Sequence, residues 1–187
     1  MIYVIDNFVS TSYFHEIQEH IDSPWQEWYY QDNISFMEKK GKIGYFGFNQ
    51  YLKEDNQDYL DHYTARLLKP LILLIQQRTG CKNLIRSRLD LTTYRGESKI
   101  LEPHIDFADR EHISTIFYIK DSDGNTVIYN EKYKIGDSTD FQLENLTIQK
   151  EIKPKANRLV IFDGLYVHTG HTPGEHNSRI LLNSNFN

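Results

Sequence analysis

The chain has 187 residues, a formal net charge of −5, 39% hydrophobic residues and 25% charged ones, a length and balance that suit one globular domain and exclude a disordered chain. The acidic balance argues against phosphate-backbone binding as the main activity, and no apolar run approaches the ~20 residues that a membrane span needs. A single cysteine, Cys81, excludes an internal disulfide or a thiolate cluster, so any metal must be held by nitrogen and oxygen.

The start, "MIYVIDNFVS", carries neither the basic region nor the long apolar stretch of a secretory signal, and a reducing cytoplasm is the expected setting. "IYVIDNF" reads as a short strand. Ser10 can then cap a helix to about Asp22, with Phe14, Ile17 and Ile21 at helical spacing. Pro24 ends it by disfavouring a helical conformation at Ser23.

Nine aromatic residues crowd between Trp25 and Tyr51. Two expectations compete for them: a lid over a site, hinged at Gly41, Gly44 and Gly47, or rings filling the gap between helices and sheet. "KKGKIG" reads as a hairpin turn. A long helix is predicted from about Asp55 to Thr79, with Leu60, Tyr63, Leu67, Leu71, Leu74 and Ile75 as its apolar stripe, a kink at Pro70 and a stop at Gly80.

From Leu84 the texture changes to strands. "IRSRLDLTTY" alternates, with Ile85, Leu89 and Leu91 on one face and Arg86, Arg88, Asp90 and Tyr94 on the other. A solvated edge strand is the expected setting for Arg86 and Arg88, ahead of a position inside a barrel. "HISTIFYI", "NTVIYN", "FQLENLTI", "NRLVIF" and "SRILLNSNF" follow as further strands. Helices first and strands afterwards predict a mainly β fold, with helices buttressing one side of an antiparallel sandwich or barrel. Residues 1–187 read as one domain, a helical support over about 1–83 followed by a β core over about 84–187.

"EPHIDF" sets His104 and Asp106 on the same side of an extended chain. Downstream, "RLVIFDGLYVHTGH" carries His168 after a predicted core strand. Two imidazoles and one carboxylate suit a non-heme ferrous site with open positions for a cosubstrate and oxygen. His171 and His176 compete for the third place but lie in the "HTPGEHN" loop, and together with His112 and Cys81 they are read as non-ligands. Arg179, eleven residues after His168, shares a face with Leu181 and Asn183 and can clamp a carboxylate bidentately.

These residues together resemble the 2-oxoglutarate- and iron(II)-dependent dioxygenases, on their prolyl 4-hydroxylase side. The family pattern of His-X-Asp, a long insert, His, and a basic residue falls on His104, Asp106, His168 and Arg179. "STIFYIKDSDGNTVIY" is similar to the family's strand-turn-strand segment, with "GNT" standing where Gly-Gly-Glu-Thr is usual. Arg stands where collagen-type enzymes have Lys. The resemblance covers roughly residues 84–187.

It implies a double-stranded β-helix, or jelly-roll, with helices on the larger sheet, and iron(II) held by His104, Asp106 and His168. It further implies that Arg179, aided by Tyr118, holds the distal carboxylate of 2-oxoglutarate, and that Tyr94 faces the cosubstrate near the metal. The expected activity is hydroxylation of an aliphatic C–H by O2, with release of succinate and CO2 and with ascorbate as a supporting reductant. The expected substrate is a peptidyl proline, a free amino acid or another small metabolite. No protein side chain is assigned as a catalytic acid, base or nucleophile, and the oligomeric state is left open. Two rival readings are a non-catalytic, cupin-like metal- or ligand-binding barrel and a nucleic-acid demethylase. The second would need a basic groove, which the charge of −5 does not suggest.

Overall fold

The computed structural model describes residues 1–34 and 45–187. The expected turn at "KKGKIG", with Gly41 and Gly44, lies outside the described residues.

In chain order the elements are β1 (Ile2–Asp6), α1 (Thr11–Ile21), β2 (Tyr29–Gln31), β3 (Gly47–Lys53), α2 (Tyr63–Thr79), β4 (Leu84–Thr93), β5 (Ile113–Tyr118), β6 (Thr126–Lys132), β7 (Ile148–Ile152), β8 (Arg158–Asp163), β9 (Tyr166–Gly170) and β10 (Ser178–Phe186). They build a seven-stranded sheet in the order β1-β8-β5-β10-β4-β3-β2 and a three-stranded sheet in the order β7-β6-β9. The pairings are antiparallel. The two sheets and two helices match the expected jelly-roll.

Both helices lie on one face of the large sheet. Phe14, Ile17 and Ile21 of α1, with Leu68, Leu71, Ile72 and Ile75 of α2, join Leu89, Phe117, Leu159, Ile161, Ile180, Leu182 and Phe186 in one buried cluster. Ile116, Tyr118, Val160, Phe162 and Leu181 come from the opposite face of the same strands and meet Ile128 and Ile152 of the small sheet. The period of two thus divides each strand between a helix-facing and a sheet-facing core.

The first helix follows its sequence signals. The Ser10 side chain accepts a hydrogen bond from the Tyr13 backbone N–H, and Asp22 ends the helix. The second helix departs from them. It starts at Tyr63, capped by His62, rather than near Asp55. The segment before it folds back on β3, with Leu60 N donating to Leu52 O at 2.9 Å. Its buried stripe is Leu68, Leu71, Ile72 and Ile75, while Leu60, Tyr63 and Leu74 are exposed. Leu67, Leu71 and Leu74 fit a helical period as well as the buried set does, and only the position of the sheet selects the face.

Pro70 lies inside a helix that continues to Thr79. A proline ring crowds the preceding turn and opens the ladder there. The Tyr13 hydroxyl enters that opening, donating to Leu67 O at 2.6 Å and accepting from Leu71 N at 3.1 Å. A side chain of α1 therefore satisfies the backbone groups of α2 that would otherwise bond each other.

Two strand expectations change. Only the last residue of "FQLENLTI" enters a strand, since Leu143–Asn145 form a 3-10 turn before β7. β9, which carries His168, has no clear strand signal in the sequence, because "GLYVHTG" is short and bounded by glycines.

Candidate active site

The segment before β5 explains how the two histidines meet. His104 N donates to His168 O and His168 N donates to His104 O, both at 2.9 Å. The pair is joined at an isolated antiparallel bridge, and Ile100 pairs with His171 in the same way. Residues 100–104 therefore run beside β9. In such a mutually bonded pair the Cα atoms sit about 5.5 Å apart with side chains on one face. The imidazole centroids are 4.6 Å apart. Asp106, two residues on, joins them, and one ligand atom from each of the three lies within 4.8 Å of the others.

The tautomers are set from behind. His104 Nδ1 lies 3.1 Å from Glu102 O, and His168 Nδ1 lies 2.9 Å from Tyr166 O. Each Nδ1 thus donates to a carbonyl and puts the ring's lone pair on Nε2, the usual outer support of a metal-bound histidine. Burial, reinforced by His168, pushes the His104 imidazole down to about 4, so it is neutral and able to coordinate.

Asp106 is held from three sides. Its Oδ1 accepts from Arg86 Nη2 at 2.8 Å, and its Oδ2 accepts from Ser114 Oγ at 2.7 Å and Asn185 Nδ2 at 2.8 Å. Burial works to raise this carboxyl, but Arg86, His168 and His104 hold it well below the usual carboxylate range. A carboxylate offers about four acceptor positions. Three are used, which leaves one for a metal. The donor set therefore fits a divalent ion with two imidazoles and one carboxylate on one face.

Arg86 corrects the edge-strand expectation. β4 lies between β10 and β3 in the sheet, so its alternating residues face the inter-sheet space rather than solvent. Arg86 fixes the metal carboxylate, and Arg88 lines the cavity beside it. The strand's own sequence could not show this, because position within a sheet is a tertiary property.

Arg179 is 7% exposed. Its Nη2 donates to Thr126 Oγ1 at 2.7 Å, and the Tyr118 hydroxyl donates to the same oxygen at 2.6 Å. The guanidinium lies 5.9 Å from the Tyr118 ring centroid, while burial pushes the Tyr118 hydroxyl pKa up. No carboxylate of the described residues pairs with Arg179, and its Nε is buried without a partner. A Cβ on Gly124 would sit 2.8 Å from Arg179 Cδ, and one on Gly170 would sit 3.2 Å from its Nη2. These two glycines clear the channel in which the side chain lies.

Tyr94 is not brought to the site. β4 ends at Thr93, the Tyr94 ring is 48% exposed, and its hydroxyl donates to Gly96 O at 3.1 Å. Thr92 is the last inward-facing residue of the strand. His176 pairs with Asp123 at 2.9 Å, and His171 stands outside the three-residue cluster.

The sequence reading missed Thr126, Gly124, Ser114, Asn185 and the role of Arg86. A buried-facing Asn at the end of an apolar strand was the one available signal. The aromatic segment divides. Trp25, Tyr29 and Tyr30 are exposed and fill no core, Trp28 packs against the helix-side core, and Phe48 and Tyr51 line the cavity with Gln31, Asn33 and Ile34.

A family model for the 2OG-Fe(II) oxygenase superfamily matches residues 89–187. The chain belongs to that superfamily. It is an oxidoreductase that uses iron(II) and 2-oxoglutarate, and the binding-module reading falls. No curated protein sequence matches significantly.

Among solved structures, a prolyl hydroxylase from Trichoplax adhaerens, in complex with a hypoxia inducible factor peptide, is 12% identical with a TM-score of 0.67, over 99% of this chain and 82% of that one. A Pseudomonas putida prolyl-4-hydroxylase is 16% identical with a TM-score of 0.57, over 99% and 91%. The epimerase SnoN, in complex with Fe3+, alpha ketoglutarate and nogalamycin RO, is 12% identical with a TM-score of 0.63, over 99% and 78%. At these identities the likeness establishes the fold.

Proposed function

We propose that the protein hydroxylates an aliphatic C–H of a small molecule or peptide, with His104, Asp106 and His168 holding iron(II) and Arg179 anchoring 2-oxoglutarate. The single observation that carries the anchor is the buried Arg179 guanidinium with no carboxylate among the described residues. A buried cation needs a counter-charge, and a dicarboxylate whose other end reaches the metal supplies it. Tyr118 and Thr126 orient the guanidinium by meeting at one hydroxyl. Residues 1–187 serve as one catalytic domain in this reading.

When bound, the iron centre couples oxidation of 2-oxoglutarate to succinate and CO2 with insertion of one O2 oxygen into the substrate C–H, the other oxygen entering succinate. The chain's own part is positional. His104 and His168 present their Nε2 atoms, Asp106 presents an ionised carboxylate fixed by Arg86, Ser114 and Asn185, and the apolar walls at Leu101, Ile116 and Leu181 exclude water. The single Cys81 fits a reducing cytoplasm, and no helix among the described residues is long and apolar enough to cross a membrane.

Succinate release from 2-oxoglutarate, measured with iron(II), air and ascorbate, tests the reading. Slow turnover without substrate is expected. Its complete absence, together with failure of the protein to bind 2-oxoglutarate, would refute it.

A further inference from the structure

The cavity is about 190 Å³, and its lining is chemically divided. The Arg179 end is accounted for by the cosubstrate, on the reading just given. Along the same cavity, β3, β4 and β10 carry a polar wall that supplies neither the metal ligands nor the Arg179 anchor.

Sheet register places this wall. Arg86 pairs with Asn185, two of the three residues that fix Asp106, and Thr92 pairs with Arg179. Between these rows, Arg88 lies opposite Asn183 on β10 and Tyr51 on β3, while Asp90 lies opposite Leu181 and Asn49. All six residues of these two middle rows line the cavity. Arg88 and Asp90 form an ion pair at 2.9 Å, with side chains 11% and 24% exposed. Asn183 is 8% exposed, and its Oδ1 is buried with no hydrogen-bond partner among the described residues.

A buried acceptor without a donor costs roughly 1–3 kcal/mol relative to a satisfied one, so Asn183 Oδ1 invites a donor from a ligand. Asp90 offers a second, charged acceptor on the neighbouring strand. Arg88 supplies the opposite charge. The pair sums to zero, so a ligand of net charge would leave one charge uncompensated in a poorly solvated wall. A neutral zwitterion leaves none.

We infer that this wall is the substrate subsite and that the substrate is a free α-amino acid or a close analogue, its ammonium on Asp90 and Asn183 Oδ1 and its carboxylate toward Arg88. The inference names the substrate class of the proposed oxygenase and rests on that reading. Asp90 and Asn183 are then specificity-determining residues. A peptide lacks the free ammonium and carboxylate together, and gains nothing from this pairing.

The test uses the protein loaded with iron(II) and 2-oxoglutarate under anaerobic conditions. The probes are the free L-amino acids, each beside its N-acetyl and C-terminal amide derivatives, with binding read by calorimetry. At least one free amino acid is expected to bind, and both capped forms to bind at least about tenfold more weakly, as loss of one charge-assisted contact implies. Asp90→Asn and Asn183→Ala should each weaken the free amino acid comparably, with 2-oxoglutarate binding on the same samples as the check that the site is intact. Equal binding of capped and free forms overturns the inference. So does binding of no amino acid by a protein that still binds 2-oxoglutarate, and so do variants that bind like the parent. Loss of 2-oxoglutarate binding in the parent protein would instead sink the oxygenase site itself, and this inference with it.

Discussion

In β4 and β10 of the seven-stranded sheet, the two faces made by the same strands have opposite chemistry. On β10, Ile180, Leu182 and Phe186 pack against the helices, while Arg179 and Asn183 face the cavity and Asn185 reaches the metal carboxylate. On β4, Leu89 faces the helices while Arg86, Arg88 and Asp90 face inward. One face lowers free energy by excluding water from apolar surface. The other keeps charged groups in a poorly solvated space, where they are tolerable only if paired with each other or with a ligand. On β4 and β10 function therefore sits on the polar face, and site and helix-side core can be separated by mutation.

The largest separation is expected at the metal. His168→Ala removes one of three ligands and should abolish iron binding and 2-oxoglutarate turnover, with little change in the unfolding midpoint. Retained turnover, with loss in His171→Ala instead, would move the third ligand to His171. The opposite result is expected on the helix face. Phe117 is fully buried there, and Phe117→Ala should destabilise the fold by about 3–5 kcal/mol in denaturant titrations while the folded fraction still binds 2-oxoglutarate. A loss below about 1 kcal/mol would show that this face is not the stabilising one.

Arg179→Leu gives a smaller and more specific effect. Hydrogen bonds to a charged group contribute ~1.5–3 kcal/mol, so 2-oxoglutarate affinity should fall roughly ten- to a hundredfold, and iron affinity much less. Because the cation leaves a mostly apolar strand, stability should hold or rise. Unchanged cosubstrate affinity in equilibrium titration would remove Arg179 from the anchor.

How much of this was legible follows from the range of each signal. His104 and Asp106 were readable because a period of two is local, and the split of β10 into two faces was readable for the same reason. α1 was readable from Ser10 and three spaced apolar residues. The start and face of α2 were not, because several leucines satisfy a helical period and only packing against β4, β5, β8 and β10 selects Leu68, Leu71, Ile72 and Ile75. Tyr94, which the resemblance places beside the cosubstrate, lies beyond the strand: alternation predicts direction only while the strand lasts, and β4 stops at Thr93.

The sequence by itself determined the chemistry available: nitrogen and oxygen ligands, a His-X-Asp pair, a later histidine and a basic residue on an apolar strand. It also determined the class of fold, since helices preceding alternating strands leave few ways to bury both. The tertiary structure decided which groups meet. The mutual bonding of His104 and His168, the three donors around Asp106, the convergence of Tyr118 and Arg179 on Thr126, and the wall of Arg88, Asp90 and Asn183 all join residues distant in the chain. Such contacts depend on strand order and register, which are set by the packing of the whole sheet and by no single segment.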